Sequence, residues 1–290
     1  IKNKIGSNLD YEWIKEPFKM PKRNYFKLFL LCLTILILLP FILIWVINVQ
    51  FRYEKKDKYF TGFRSDIDPN KTEILEEYED LTDGEDNSLL EKTKKSENDS
   101  KIKNRLIFHQ NQFSQLVEMK PGKVRLLTFK GMMLFARVLI PSLYVDGELM
   151  NIPTIHFARW VLFDDNKRVL FFSNFDGSWQ QYLGDFIDQS GWGLSAIFSN
   201  TTNFPKTNWL GITGILAPKK YPKSGKFFPG GAYDEERFLA WSRSTELSTQ
   251  IWYSAYPDLS IKNVNNNSRI RVMLTKNLNE KKAKEFFELI

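Results

Sequence analysis

The chain has 290 residues, a formal net charge of +7 and one cysteine, which leaves room for one ordinary domain with appendages or for two small ones. Cys32 stands alone inside an apolar run, so an intrachain disulfide, a cysteine-built zinc site and a thiol nucleophile in the soluble part are all excluded. Apart from Lys219, Lys220, Lys223 and Lys226 the cations are scattered, which is not the concentrated patch of a nucleic-acid binder, and no nucleic acid is expected as a partner.

Residues 1–27 form a basic N-terminal segment, and residues 28–50 read as a transmembrane anchor. Leu28 to Ile47, "LFLLCLTILILLPFILIWVI", is uncharged throughout and spans roughly 30 Å as a helix, the thickness of a hydrocarbon core. Pro40 is tolerated in such a helix and Trp45 suits an interface. A cleavable signal peptide fits less well, because the run is long and no small-residue cleavage site follows it. The expected partner of Leu28–Ile47 is thus the lipid bilayer, crossed once. The face carrying the soluble domain stays undetermined: Lys15, Lys19, Lys22, Arg23 and Lys27 precede the run, while Arg52, Lys55, Lys56, Lys58 and Arg64 follow it. Residues 51–104 read as a charged tether, since 65–102 hold 13 acidic against 5 basic side chains and few aromatics. A short helix over Lys71 to Leu81 is the alternative there.

Residues 105–290 carry the signals of an α+β domain. Gln112 to Met119 alternates as a strand, ended by Pro121-Gly122. Lys123 to Ile140 has helical spacing up to Pro141. Thr154 to Phe163 is a strand with Ile155, Phe157, Arg159 and Val161 on one face and His156, Ala158, Trp160 and Leu162 on the other. Asp164 to Lys167 turn the chain, and Arg168 to Asn174 return as its partner. Ser178 and Gln181 make a capping-box pattern before a helix through Ile187; Gly191 and Gly193 close it, and Leu194 to Ser199 reads as a strand. The order matches the ferredoxin-like βαββαβ plan, whose second sheet face must be covered by something. Beyond it, Asp234–Leu247 reads as a helix, Ser248–Tyr256 and Arg269–Leu274 as strands, and Glu280–Ile290 as a terminal helix. This C-terminal αβ extension, or another subunit, is the candidate cover.

Few residues carry chemistry. His156 suits a haem ligand, a zinc ligand or a base, or a histidine that packs and hydrogen-bonds structurally; no second His or Cys stands at metal-ligand spacing, so no protein-built metal site is expected. Asp176, in "SNFDGS", is either an acid in an aromatic pocket or a residue satisfying free helical N–H groups. Asp185 and Asp188 follow on the helix. Arg159 lies in an apolar strand and needs a partner: Asp176, Asp185, or a ligand carboxylate or phosphate. Phosphate loops and hydrolase elbows are absent. The aromatics, Trp160, Trp179 and Tyr182 among them, read as core or as walls for a flat or lipid-like ligand.

The run "TIHFARWVLFDDNKRVLFFSNFDGSWQQYLGDFID", with "SNTTNFPKT" and "WYSAYPDLS" further on, resembles a poorly characterised bacterial domain related to dye-decolourising peroxidases and the dimeric α+β barrel group. The resemblance covers about Gln110 to Leu274 and implies a ferredoxin-like fold. It implies an acid at Asp176, although the peroxidase turn G-x-x-D-G lacks its leading glycine here. The axial histidine has no counterpart after His156, so haem is possible but not favoured. The expectation is a membrane-anchored α+β domain acting in binding or assembly, either with a protein partner or second copy or around an apolar ligand. The alternative is a peroxidase-like oxidative enzyme using His156, Arg159 and Asp176.

Overall fold

The structure is a computed structural model that describes residues 22–62, 110–145, 149–216, 228–251, 253–256, 259–274 and 278–289. The first helix, α1 (Tyr25–Asn48), continues as a wider π turn over Val49–Glu54. After it come β1 (Gln110–Glu118), α2 (Lys123–Leu143), β2 (Ile155–Phe163), β3 (Arg168–Asp176) and α3 (Trp179–Phe198). The short α4 (Thr213–Leu216), then α5 (Glu235–Thr245), α6 (Ile261–Leu274) and α7 (Glu280–Leu289) follow. Among the described residues, two helices are long and apolar enough to cross a membrane: Tyr25–Glu54 and Lys123–Leu143. Residues 63–109, which hold most of the expected tether, its alternative helix and His109, lie outside the described residues, as do Lys219, Lys220, Lys223 and Lys226.

The sheet has the order β1-β3-β2, with both pairs antiparallel. β1 and β2 are therefore parallel to each other on either side of β3, joined by the crossover helix α2, which is a split β-α-β unit. The β2–β3 turn forms because Asp164, Asp165 and Asn166 take φ of 52°, 53° and 66°, the left-handed region that Asp and Asn tolerate best among non-glycine residues.

The ferredoxin-like plan stops there. Leu194 to Ser199, expected as the fourth strand, is the end of α3 and its C-cap; the helix breaks at Ser190 (φ −145°, ψ 22°) and then resumes. Gly191 and Gly193 do not end the helix. Gly191 is small because a Cβ there would stand 2.9 Å from the Tyr233 ring, so the glycine marks a close approach rather than a stop. The place a fourth strand would occupy, the free edge of β1, is covered by two short segments instead. Thr201 bridges Met119 and Glu246 bridges Gln115; the Thr202 and Leu247 N–H groups donate to Glu118 O and Ser114 O, each at 2.8 Å. An edge covered in this way is closed to further pairing. The other two expected strands also fail: Arg269–Leu274 lies inside α6, and Ser248–Tyr256 runs without regular structure as far as it is described, with Ile251 and Tyr253 exposed.

One face of the sheet builds the core with α3 and α5. Phe113, Val117, Val169, Phe171 and Phe175 point inward to Trp179, Tyr182, Phe186, Phe198, Phe204, Phe238 and Trp241. Phe175 and Tyr182 stack at 3.9 Å, and the Arg243 guanidinium lies 3.7 Å over the Trp179 ring, held by Glu246 at 3.1 Å. Burying a cation on an aromatic face and pairing it satisfies a charge that would otherwise be costly inside.

Candidate functional site

The opposite face of the sheet mixes apolar with polar and charged side chains. The register sets Phe157, Arg159, Val161 and Phe163 of β2 beside Asn174, Phe172, Leu170 and Arg168 of β3, with Ser114 and Leu116 of β1 beyond Phe172 and Leu170. None of these residues is buried, whereas Phe113, Gln115, Val117, Val169, Phe171, Ser173 and Phe175 on the inner rows all are. Phe157 is 50% exposed. A solvated face of an antiparallel sheet ordinarily alternates to polar side chains; this one presents Leu116, Phe157, Val161, Phe163, Leu170 and Phe172. Three strands of nine residues cover roughly 10–14 Å by 30 Å, so the whole outer face, polar side chains included, measures about 300–400 Å², and the apolar patch is the part of it that these six side chains cover.

Arg159 is exposed on this face, across from Phe172. Neither acid expected to hold it does so. Asp176 is engaged elsewhere, and Asp185 stands on α3, where burial and the neighbouring Asp188 charge raise its carboxyl above the usual carboxylate value. Among the described residues, no ion pair holds Arg159.

His156 and Asp176 do meet. The pairing slips between Ile155 and Phe157, so His156 is the extra residue of a β-bulge. The bulge turns Ile155 onto the core face, away from Phe157 with which simple alternation groups it. It also re-aims His156, whose Nε2 lies 2.7 Å from Asp176 Oδ1. The second carboxylate oxygen accepts the Ile261 N–H at 2.6 Å. Asp176 thus caps a helix, but it is α6 that it caps. Ser178 caps α3 by accepting from the Gln181 N–H at 3.3 Å. Both oxygens of Asp176 are used, and the histidine atom a haem iron would take is the one Asp176 holds. The trio is a pair plus an outlier: Phe172, across from Arg159, and Asp176 are four positions apart on β3, about 13 Å along a strand.

Of the expected ligand walls, Trp179 and Tyr182 are each 1% exposed inside the filled core, and burial pushes the Tyr182 phenol up. Trp160 is half-buried and packs on Phe171 at 4.7 Å.

A second constellation has no forerunner in the sequence reading. The end of α1 and the first residues expected as tether enter the domain. Val46 and Val49 are buried against Ala196 and Leu210, with Val124, Met132, Trp209 and Ile212 around them. Trp45 Nε1 donates to Thr128 Oγ1 at 2.9 Å, and the Trp209 N–H donates to Gln50 Oε1 at 2.6 Å. Below them, Glu54 lies 2.8 Å from Arg125, each 1% exposed, while Asp57 pairs with both Arg125 and Lys120. Lys120 also donates to Ser199 O at 2.8 Å. Burial pulls the Lys120 ammonium below an ordinary lysine, and burial with the Glu54 and Asp57 charges pushes the Tyr59 phenol up. Two acids and two bases cancel, which is what makes their burial tolerable. The partners are more than sixty residues apart, so no local sequence pattern hints at the contact.

No protein-family model, curated protein or solved structure matches this chain.

Proposed function

We propose that this chain is a membrane-anchored assembly subunit: α1 crosses the bilayer, and the α+β domain presents the outer face of its sheet to a protein partner or to a second copy. The observation that carries the reading is that outer face, six apolar side chains around the exposed Arg159. An interface centre is apolar and aromatic with arginine enriched, and the patch has that composition. The partner it suits places an apolar surface on the sheet and a carboxylate opposite Arg159.

Two alternatives fit less well. An apolar-ligand pocket walled by Trp160, Trp179 and Tyr182 competes with side chains that already fill the core. An oxidative enzyme built on His156, Arg159 and Asp176 would have to break a pair that ties β2, β3 and α6 together.

The test is a photo-reactive amino acid at Phe157 or Val161 in the full chain, irradiated in native membranes. Adducts at these positions and not at Lys281, abolished by Arg159→Glu, are expected. No adduct at either outer-face position, with a monomer in detergent at every concentration, overturns assembly. A bound chromophore lost with His156→Ala would overturn it in favour of the enzyme.

A further inference from the structure

We infer that α2 is a second membrane-contacting element, a helix lying in the headgroup region that seats the domain on the bilayer beside the point where α1 leaves it. The inference rests on the reading of α1 as the anchor.

The argument starts from how α2 divides its circumference. At about 100° per residue, Arg125, Phe129, Met133 and Ala136 form the side toward the core, where Arg125 and Phe129 are each 1% exposed. Val124, Thr128 and Met132 form the side toward α1, through Trp45 and the Val46–Val49 cluster. The remaining third is exposed, and it is not polar. Leu127 is 56%, Leu134 63% and Val138 38% exposed, with Gly131 open beside them. Lys123, Lys130 and Arg137 are exposed as well. Residues seven apart fall nearly above one another, so these three cations make one column, Leu127 and Leu134 the next, and Val138 adjoins the row that meets α1. Apolar side chains thus lie nearer the anchor and cations farther from it.

That gradient is the pattern of a helix lying in the plane of a membrane interface, apolar side chains down and cations at the headgroups. Three further observations choose lipid over protein as the occupant. The stripe is continuous with the place where α1 emerges, and α1 is exposed from Leu36 to Ile44, so the bilayer that holds α1 must begin there. Trp45 and Trp209 flank the exit, with Phe51 edge-on to Trp209 at 5.6 Å; such aromatics belong at a membrane–water boundary. Finally, no acidic residue occurs from Met119 to Val145, so the stripe has only positive charge to offer an anionic leaflet. α2 itself does not cross: its first two turns are built into the core by Arg125 and Phe129.

The test uses the full chain in phosphatidylcholine vesicles, with and without phosphatidylglycerol. An environment-sensitive fluorophore is placed on the native Cys32, or, in a Cys32→Ser background, on Leu127→Cys, Leu134→Cys or Lys281→Cys. Quenching by lipids carrying a nitroxide near the headgroup or deep in the chain is then read. We expect the Leu127 and Leu134 probes to be quenched several-fold more than the Lys281 probe, and more by the shallow quencher than by the deep one. Lys130→Glu with Arg137→Glu should remove the added quenching that phosphatidylglycerol brings. Quenching of the Cys32 probe with Leu134 behaving like Lys281 overturns the seat and leaves the anchor standing. An unquenched Cys32 probe overturns both. A Leu134 probe shielded from water yet unquenched by lipid assigns the stripe to protein, and deeper quenching at Leu134 than at Cys32 makes α2 a spanning helix; either result overturns the inference.

Discussion

Replacing Arg125 by methionine keeps the length of the side chain and removes its charge, which leaves Glu54 buried at 1% exposure without the cation 2.8 Å away. Breaking a buried ion pair from one side costs about 3–5 kcal/mol, because the surviving charge has lost its partner and its water. Lys120 stays beside Asp57 at 2.9 Å, so Asp57 keeps one cation and the lower end of that range is expected. Against a whole-domain stability of about 5–15 kcal/mol, the loss is large enough to read as a midpoint shift. The assay is urea unfolding of the detergent-solubilised chain, followed by tryptophan fluorescence, to which the buried Trp179 and Trp241 contribute. The double variant Arg125→Met with Glu54→Gln should cost less than the sum of the singles by about 1–3 kcal/mol. In the same Arg125→Met variant, trypsin should cut faster at the exposed Lys55, Lys56 and Lys58, since the strand of chain that bears them is no longer held. A loss below about 0.5 kcal/mol, the scale of an ordinary surface change, or strict additivity of the two singles, would refute the buried lock.

Three further outcomes are expected. Asp176→Asn weakens the bond to His156 and the cap on α6, costing about 1–3 kcal/mol in the same unfolding assay, with faster hydrogen exchange at the start of α6; an unchanged exchange pattern would mean Asp176 holds nothing there. Asp185→Asn should raise the melting temperature near pH 7. The folded-state pKa of Asp185 lies above its unfolded value of 3.8, so the folded state resists ionisation and loses stability as pH rises through that folded value; the gain should vanish below about pH 4, where both states are protonated. Gly231→Ala forces a Cβ to within 2.6 Å of Ser195 Oγ at a φ of +61° and should cost at least about 1–3 kcal/mol; a neutral result would show that the loop can withdraw from α3.

Local chemistry made part of this fold legible. The β2–β3 hairpin follows from Asp-Asp-Asn between two alternating runs, and α2, α5 and α7 follow from their spacing. Where local and tertiary causes compete, reading fails. Leu194, Ile197 and Phe198 fit helical spacing, while Leu194, Ala196 and Phe198 also fit strand alternation; what decides is Ser195, which accepts from the Ala232 N–H at 3.0 Å and needs the backbone of Gly211 and Gly231 close by. That contact joins segments of the chain far apart in sequence. The same holds for the site. His156 and Asp176 were visible as neighbours because a hairpin brings them together. For Arg159 the sequence leaves an internal acid and an outside ligand open, because its strand is apolar on both faces; only the fold shows the residue exposed. Glu54, Asp57, Lys120 and Arg125 were invisible as a set, since each alone looks like a solvated charge.

The lock also changes what the anchor can do. A flexible tether beginning at Phe51 would let the domain tumble, and an interface on its sheet would be found in every orientation. Here Val46 and Val49 sit in the domain's own packing, Trp45 is bonded to Thr128, and Glu54 and Asp57 are paired inside. The end of α1 is therefore a fixed part of the domain, and the normal to the outer sheet face keeps a set angle to the α1 axis. With α1 in a bilayer, as proposed, that face points in one direction relative to the membrane, and a partner meets it without the loss of rotational freedom that docking otherwise costs. Preorganisation of this kind predicts that Arg125→Met, which touches no residue of the outer face, lowers cross-linking at Phe157. Undiminished cross-linking alongside faster tryptic cleavage would separate the two roles and show the lock to be stability alone.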